Sequence, residues 1–176
     1  MNIINPLDFK VNDLPLIVLS DDQRGFIGWA IKSHSKGNYN HVMIMIHPKY
    51  LASQGFKTYQ EIPLQDMMKT NIMMKFWRYK PLTHNQIVDI NTAVIKDLKK
   101  NWFKRSYDFL GIIGQLTGLR WIQSPWKFYC SEIVAKYLRL IPELEKKIPP
   151  RPSPADLNRL FNEIEGFEEV GYYLED

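Results

Sequence analysis

The chain has 176 residues and a net charge of +4, with 45% hydrophobic and 24% charged residues. These values are typical of a folded globular protein and exclude an intrinsically disordered chain, while the single cysteine excludes an internal disulfide and a cysteine-rich zinc site. No window approaches the roughly 18 uninterrupted apolar residues of a membrane span. The length predicts one domain over residues 1–176.

Two further segments bear on the location of the protein and on whether it binds nucleic acid. Residues 1–20 lack the basic start, apolar stretch and small-residue cleavage site of a secretory signal, which predicts a cytoplasmic protein. The densest basic run, residues 96–105, contains two aromatic residues, a pattern also found in nucleic-acid-binding segments. We interpret this run as the solvated end of an amphipathic helix, where cations suit the helix dipole. No nucleic-acid partner is therefore expected.

Short apolar runs separated by turn residues predict strands in the first half of the chain. Residues 14–20 form one such run, and residues 42–46 (VMIMI) form a wholly apolar one, as expected of a strand buried on both faces. Between them, residues 24–34 carry apolar side chains at helical spacing. The pattern after residue 46 predicts two strands folded about Gly55 in residues 50–64, a short helix over 64–68 and an aromatic-rich strand over 73–79.

The second half is mainly helical. Residues 83–100 carry apolar side chains at spacings of three and four, and Thr83 is the predicted N-cap. Ser153 followed by Pro154 predicts another helix start, because serine caps a helix and proline suits its first position. The other predicted elements are helices over residues 107–119 and 128–140 and a closing strand over 170–174. The fold class is therefore α+β.

Cys130 is the candidate nucleophile. It lies near the predicted start of a helix, after a loop that contains a proline, and this position favours a reactive thiol. Unpaired amide groups and the positive end of the helix dipole favour a thiolate there, so we expect a lowered pKa. The same amides can stabilise an oxyanion on a substrate carbonyl. A buried structural cysteine would show apolar neighbours at helical spacing, and Ile133 and Val134 fit that alternative equally well.

His41 opens the apolar strand after a turn, where a rigid backbone would fix an imidazole well. A nucleophilic thiol needs such a base within hydrogen-bond reach, and the base needs a third group to orient it. The alternative is a histidine that only bonds to the preceding turn. The remaining histidines are scattered and offer no ligand spacing, so neither a metal nor another cofactor is expected.

The order of a histidine on a strand and a later cysteine at a helix start resembles the circularly permuted branch of the NlpC-like papain-fold superfamily. That branch includes the YiiX/YaeF-like proteins and the lecithin retinol acyltransferase-like enzymes. The resemblance covers about residues 14–160. The motifs that carry it are residues 39–42 (YNHV), 51–55 (LASQG), 107–108 (YD), 128–134 (FYCSEIV) and 153–157 (SPADL).

The resemblance implies a permuted papain-like fold, an antiparallel sheet packed against helices, with Cys130 as nucleophile and His41 as base. The family's third position is a polar residue on the next strand, and Gln54 aligns best with it. A neutral amide there departs from the glutamate of many members and would stabilise an imidazolium less than a carboxylate does. Other polar side chains remain open for this position, because strand register is hard to read from sequence: Ser53, Gln60 and Glu61.

The implied activity is that of a cysteine peptidase or amidase working through an acyl-enzyme. The amide of Cys130 would hold the oxyanion, and Tyr129 and Tyr39 are candidates for a second donor. The implied substrates are peptides, cell-wall peptides or acyl lipids, and a bacterial or phage origin is expected by analogy. Two alternatives stay open, an acyltransferase or lipid hydrolase on the same pair and a non-catalytic binding module.

Overall fold

The computed structural model describes residues 2–22, 37–54, 58–100 and 129–175, without the side chain of Asp22. Helices and strands alternate irregularly along these ranges, as expected of an α+β protein. The strands are β1 (Leu16–Asp22), β2 (His41–His47), β3 (Tyr50–Gln54), β4 (Tyr59–Pro63), β5 (Asn71–Tyr79) and β6 (Phe167–Leu174). The α-helices are α1 (Leu64–Met68), α2 (His84–Leu98), α3 (Cys130–Leu138), α4 (Pro142–Glu145) and α5 (Pro154–Glu163), and two 3₁₀ turns span Pro6–Asp8 and Val11–Asp13.

The six strands form one sheet in the order β4-β3-β2-β1-β5-β6, and every neighbouring pair is antiparallel. The central pair β1 and β2 is regular, with Leu16 opposite Met45 and Ser20 opposite His41. The pairing of β2 with β3 shifts between Ile44 and His47. This irregularity decides which residue of β3 lies near the start of β2.

Apolar side chains cover both faces of the sheet, which explains the unbroken apolar runs in β1 and β2. On one face Leu19, Val42 and Ile44 pack in the same cluster as residues of helices α2, α3 and α5. On the other face Met43 and Met45 belong to a second cluster that includes residues of α1. Alternate residues of one strand thus serve two cores, and the helix that begins at Cys130 lies against the first.

Two helices begin at the predicted N-caps Thr83 and Ser153, and each cap is part of a capping box. Thr83 accepts from the amide of Gln86 at 3.3 Å, and the Gln86 side chain accepts in return from the Thr83 amide at 2.8 Å. Ser153 and Asp156 repeat this arrangement at α5, each bond being 3.0 Å long. Pro154 occupies the first turn of α5, where its missing N–H costs no hydrogen bond.

The α+β class and the antiparallel sheet packed against helices are confirmed. Predicted strands correspond to β1–β6, although β6 begins at Phe167 rather than at residue 170. The cysteine-bearing helix begins at Cys130 instead of residue 128, because Tyr129 has an extended backbone. The helices predicted over residues 24–34 and 107–119 lie outside the described residues. Across the described ranges, no helix combines the length and the apolar character needed to cross a membrane.

Candidate active site

Cys130 is the first residue of α3 and is 1% exposed. The helix begins here because Tyr129 is extended and its amide donates to the Glu132 carboxylate at 3.4 Å, which satisfies a donor that the helix leaves unpaired. The thiol therefore lies where unpaired helix amides converge. The predicted location of the cysteine at a helix start is confirmed.

The surroundings of the thiol raise its pKa rather than lowering it. Burial removes the sulfur from water and raises the pKa of Cys130 to about 11. Backbone hydrogen bonds from Val42, Ser131 and Cys130 itself act in the opposite direction, and the Glu132 carboxylate raises the pKa further. The expectation of a lowered pKa is wrong here, because burial outweighs the helix amides. The resting group is a neutral thiol.

Cys130 and Val42 of β2 pack in the same buried cluster, and Val42 directly follows His41, so the start of α3 lies against the strand that His41 begins. The pairing of the His41 ring with the thiol stays a prediction. His41 is half-buried, and its Nε2 atom lies 2.8 Å from the Oγ atom of Ser53 in β3. Ser53 is 1% exposed, so this bond is shielded from water. The second ring nitrogen, Nδ1, is the one that Ser53 does not engage.

Gln54, predicted for the third position, is the last residue of β3 and is 2% exposed. Gln54 pairs with Tyr59 of β4, and the neighbouring Ser53 pairs with Gln60 of the same strand. Gln60 is exposed on that strand. The partner of the His41 Nε2 atom is thus Ser53, one of the alternatives, and the catalytic role of Gln54 stays a prediction.

The two tyrosines predicted as oxyanion donors are both 5% exposed. Tyr129 directly precedes Cys130, and Tyr39 belongs to the same apolar cluster as Cys130. Burial raises the pKa of Tyr39, and the nearby Tyr172, Glu169 and Asp21 raise it further. Its hydroxyl therefore keeps its proton and can donate. Two of these neighbours belong to β6 and Asp21 belongs to β1. The oxyanion role of either tyrosine stays a prediction.

Comparison with solved structures gives a likeness over nearly the whole chain. The crystal structure of the metalloprotein yiiX from Escherichia coli O157:H7, DUF1105, matches with a TM-score of 0.57 and 15% sequence identity, covering 92% of this chain and 97% of that chain. The chain shares the fold of YiiX. The YiiX likeness predicted from the sequence is confirmed at the level of the fold. No protein-family model and no curated protein matches.

YiiX is described as a metalloprotein, so the side chains of the present chain that could bind a metal are relevant. In residues 2–22, 37–54, 58–100 and 129–175, no three side chains among His, Cys, Asp and Glu come close enough to hold a metal ion together. The donor set of the described residues therefore does not fit a metal.

Sequence reasoning missed three residues that fix the start of α3 in this YiiX-like fold. The Ser131 hydroxyl donates to the Pro152 carbonyl at 2.6 Å. The Arg151 Nε atom lies 3.7 Å from the Glu132 carboxylate, which is 3% exposed. The spacing of Tyr129 and Glu132 is that of an N-cap and its third helical residue, which is a readable signal. The contacts to residues 151–152 join distant segments and leave no local pattern.

Proposed function

We propose that the protein is a cysteine hydrolase, a peptidase or amidase on a circularly permuted papain-like fold, with Cys130 as nucleophile and His41 as base. One observation carries the proposal. Cys130, at the first residue of α3, packs in one buried cluster with Val42, next to a histidine whose Nε2 atom lies 2.8 Å from the Oγ atom of Ser53. Acyl transfer requires a nucleophile, a base and a group that orients the base.

The chemistry follows from the protonation state of the resting site. Because burial keeps Cys130 as a neutral thiol, His41 must act as a general base while the sulfur attacks, rather than as the partner of a preformed thiolate. The thiol proton passes to the imidazole as the S–C bond forms. The imidazolium then gives that proton to the leaving amine or alkoxide, and water releases the acyl group from Cys130.

The bond to Ser53 supports this role for the histidine. Nε2 faces Ser53, so we assign the proton exchange with sulfur to the Nδ1 atom, because a hydrogen bond at one ring nitrogen sets the role of the other. A serine hydroxyl fixes the ring without adding negative charge, so it stabilises an imidazolium less than a carboxylate would. We therefore expect a slower hydrolase than one with a glutamate at this position.

The oxyanion of the tetrahedral intermediate would lie at the start of α3. The Cys130 amide is one donor, and the protonated Tyr39 hydroxyl and Tyr129 are candidates for the second. The substrates that suit this chemistry are amides or esters: peptides, cell-wall peptides or acyl lipids. An acyltransferase would use the same steps with a different acyl acceptor.

A non-catalytic binding module on the same fold is the second candidate. The 1% exposure of Cys130 and its raised pKa favour it, because a shielded neutral thiol is what a structural cysteine shows. The two functions differ in one property that can be measured. A catalytic thiol depends on His41 for its reactivity, and a structural thiol does not.

The test is the rate of alkylation by iodoacetamide as a function of pH. Cys130 is the only cysteine, so all labelling reports on it, and Cys130→Ala gives the blank. We expect alkylation at neutral pH to be strongly slower in His41→Ala than in the wild type, since a positioned base that takes the thiol proton contributes about 10²-fold or more. His47→Ala, at the exposed opposite end of β2, is the matched control and should react like the wild type. A slow rate that is the same in His41→Ala contradicts the hydrolase and supports the binding module.

A further inference from the structure

Residues 2–4, called here the edge cover, lie beside β6, the last strand in the order of the sheet. Ile3 forms a parallel bridge with Tyr172. In this bridge the Ile4 amide donates to the Tyr172 carbonyl, and the Tyr172 amide donates to the Asn2 carbonyl, each at 2.8 Å. The edge cover therefore binds both backbone hydrogen-bonding groups of Tyr172.

Gly171, inside β6, makes room for the edge cover. A glycine inside a strand often marks a place where another backbone approaches closely. An added Cβ at Gly171 would lie 2.7 Å from the Ile4 Cγ2 atom, 2.8 Å from the Asn2 carbonyl oxygen and 3.2 Å from the Ile4 Cγ1 atom, and all of these atoms belong to the cover. The Asn2 side chain also donates to the Val170 carbonyl at 3.0 Å. The residues of β6 are thus matched to the edge cover.

The charges on β6 give its outer side little protection against pairing. Unpaired backbone groups at a sheet edge can bind a strand of another chain, and charged side chains are one device that prevents this. Glu168 contacts Arg78 at 2.8 Å and Lys80 at 3.1 Å, and Glu169 contacts Lys75 at 2.9 Å. Because cations on or next to β5 neutralise both glutamates, these glutamates do little to repel a second strand.

The opposite edge of the sheet is protected in a different way. There β4 has five residues, ends at Pro63 and exposes Gln60 and Glu61. A short outer strand that carries a charge and ends in proline pairs poorly with another chain. β6 has eight residues, so it offers a longer edge and depends more on its cover.

We propose that the outer side of β6 is an interaction surface for β6 of a second copy, and that the edge cover keeps the two copies apart. A second copy suits this edge, because its β6 presents the same backbone donors and acceptors, and two identical strands related by a two-fold axis pair antiparallel. Detachment of the cover breaks two backbone bonds and the Asn2 side-chain bond and withdraws Ile4 from the second apolar cluster. The rest of the sheet keeps its pairing, so the uncovered protein stays folded and self-associates.

The experiment compares three single-residue variants of the full chain with the wild type. Gly171→Ala places a Cβ against the edge cover, and Ile4→Pro removes the amide that donates to Tyr172. Ile3→Pro is the matched control, because the bridge to β6 uses the Asn2 carbonyl and the Ile4 amide but not the Ile3 amide. Circular dichroism establishes that each variant is folded. Sedimentation velocity and the hydrogen-exchange rate of the Tyr172 amide, followed by NMR, are then measured over a range of protein concentrations.

At low concentration, we expect the Tyr172 amide to exchange about fivefold faster or more in Gly171→Ala and in Ile4→Pro, since each change weakens the hydrogen bonds between the cover and β6. Ile3→Pro should exchange like the wild type. As the concentration rises, Gly171→Ala and Ile4→Pro should associate, while the wild type and Ile3→Pro stay monomeric. Exchange of the Tyr172 amide should then slow again in the associating variants, because its N–H bonds to the second copy.

Three results would overturn the proposal. In the first, the Tyr172 amide exchanges fast in Gly171→Ala and Ile4→Pro, yet both variants stay monomeric at every concentration. In the second, the variants associate but this amide remains in fast exchange, which means that another surface makes the contact. In the third, neither variant exchanges faster than Ile3→Pro, which means that the cover does not protect the edge. A reducing agent in every sample prevents disulfide dimers through Cys130, the single cysteine.

Discussion

The Nε2 atom of His41 and the Oγ atom of Ser53 lie 2.8 Å apart, joining the first residue of β2 to a buried residue of β3. A histidine ring held through one nitrogen presents the other in a fixed direction. This contact gives the predicted base an orienting partner. It also separates two candidates for the third position, Ser53 and Gln54, which adjoin each other in the chain and are both buried.

Ser53→Ala should therefore slow Cys130 alkylation at neutral pH about fivefold, because the lost hydrogen bond contributes about 1 kcal/mol to holding the ring. Gln54→Ala is the matched control, since it removes a buried polar side chain from the adjacent residue. We expect Gln54→Ala to change the rate less than Ser53→Ala does. A larger loss in Gln54→Ala would instead assign the orienting role to Gln54, as the sequence predicts. Nitrogen-15 NMR of the His41 ring would show the change of tautomer directly.

The candidates for the base and the nucleophile could be read from the sequence, and the orienting residue could not. Unbroken apolar runs identify β1 and β2, and the turn before His41 places it at a strand start. Which residue of β3 meets His41 depends on the irregular pairing between Ile44 and His47. A shift of one residue moves every side chain to the other face of the sheet, so serine and glutamine exchange roles.

The sequence left the burial of Cys130 open, because Ile133 and Val134 fit a buried structural cysteine as well as a reactive one. The helix start predicts a lowered pKa through local amides, while the opposing effect comes from the packing of α3 against the sheet. The ion pair of Arg151 with Glu132 is another long-range contact, between the start of α3 and the segment that precedes α5. Local patterns such as the capping box at Ser153 were readable because all of their atoms belong to neighbouring residues.

Ser153→Ala tests that capping box. The serine accepts from the Asp156 amide and donates to the Asp156 carboxylate, so its removal leaves a first-turn amide without its side-chain partner. We expect the free energy of unfolding to fall by about 1 kcal/mol in urea denaturation. Ser153→Asp is the control, because aspartate is also a good N-cap, and it should lose less. Equal stability of Ser153→Ala and the wild type would contradict a stabilising cap.

Gly166→Ala should destabilise the turn that leads into β6. Gly166 has φ +99°, a conformation that side-chain-bearing residues rarely adopt, and an added Cβ would lie 2.8 Å from the Tyr79 ring and 2.9 Å from Pro81. The free energy of unfolding should fall by about 1–3 kcal/mol, measured in urea. Glu165→Ala, on the exposed neighbouring residue, should change it by less than about 0.5 kcal/mol. If Gly166→Ala has the same free energy of unfolding as the wild type, the turn relaxes around the added Cβ and the prediction is wrong.

Asp97 joins α2 to α3, the helix that begins at Cys130. Its carboxylate, 4% exposed, contacts the Lys100 ammonium at 2.6 Å and the Lys136 ammonium at 2.5 Å, and accepts from the Tyr137 hydroxyl at 2.9 Å. Burial alone would raise the pKa of Asp97, but the hydrogen bonds from the two lysines and from Tyr137 lower it below its ordinary value. The charged form is thus favoured in the folded protein.

The sign of the resulting pH dependence follows from this lowered pKa. A group whose pKa is lower in the folded state stabilises that state above its unfolded pKa, which is about 4 for aspartate, and loses this contribution as the pH falls through the folded value. The protein should therefore lose the Asp97 contribution under acid conditions and keep it at neutral pH. The half-exposed lysines reduce the contribution through solvent screening.

We expect Asp97→Asn to lower the free energy of unfolding by about 2 kcal/mol at pH 7, because it leaves buried donors imperfectly paired. The difference from the wild type should shrink as the pH falls below about 4. Asp66→Asn, whose carboxylate pairs with Lys69 at the surface, is the matched control and should change stability by less than about 0.5 kcal/mol. Urea denaturation from pH 7 to pH 3 measures both. The free energy of unfolding of Asp97→Asn is compared with that of the wild type at each pH. If their difference stays constant with pH, the charge of the carboxylate does not stabilise the contact between α2 and α3.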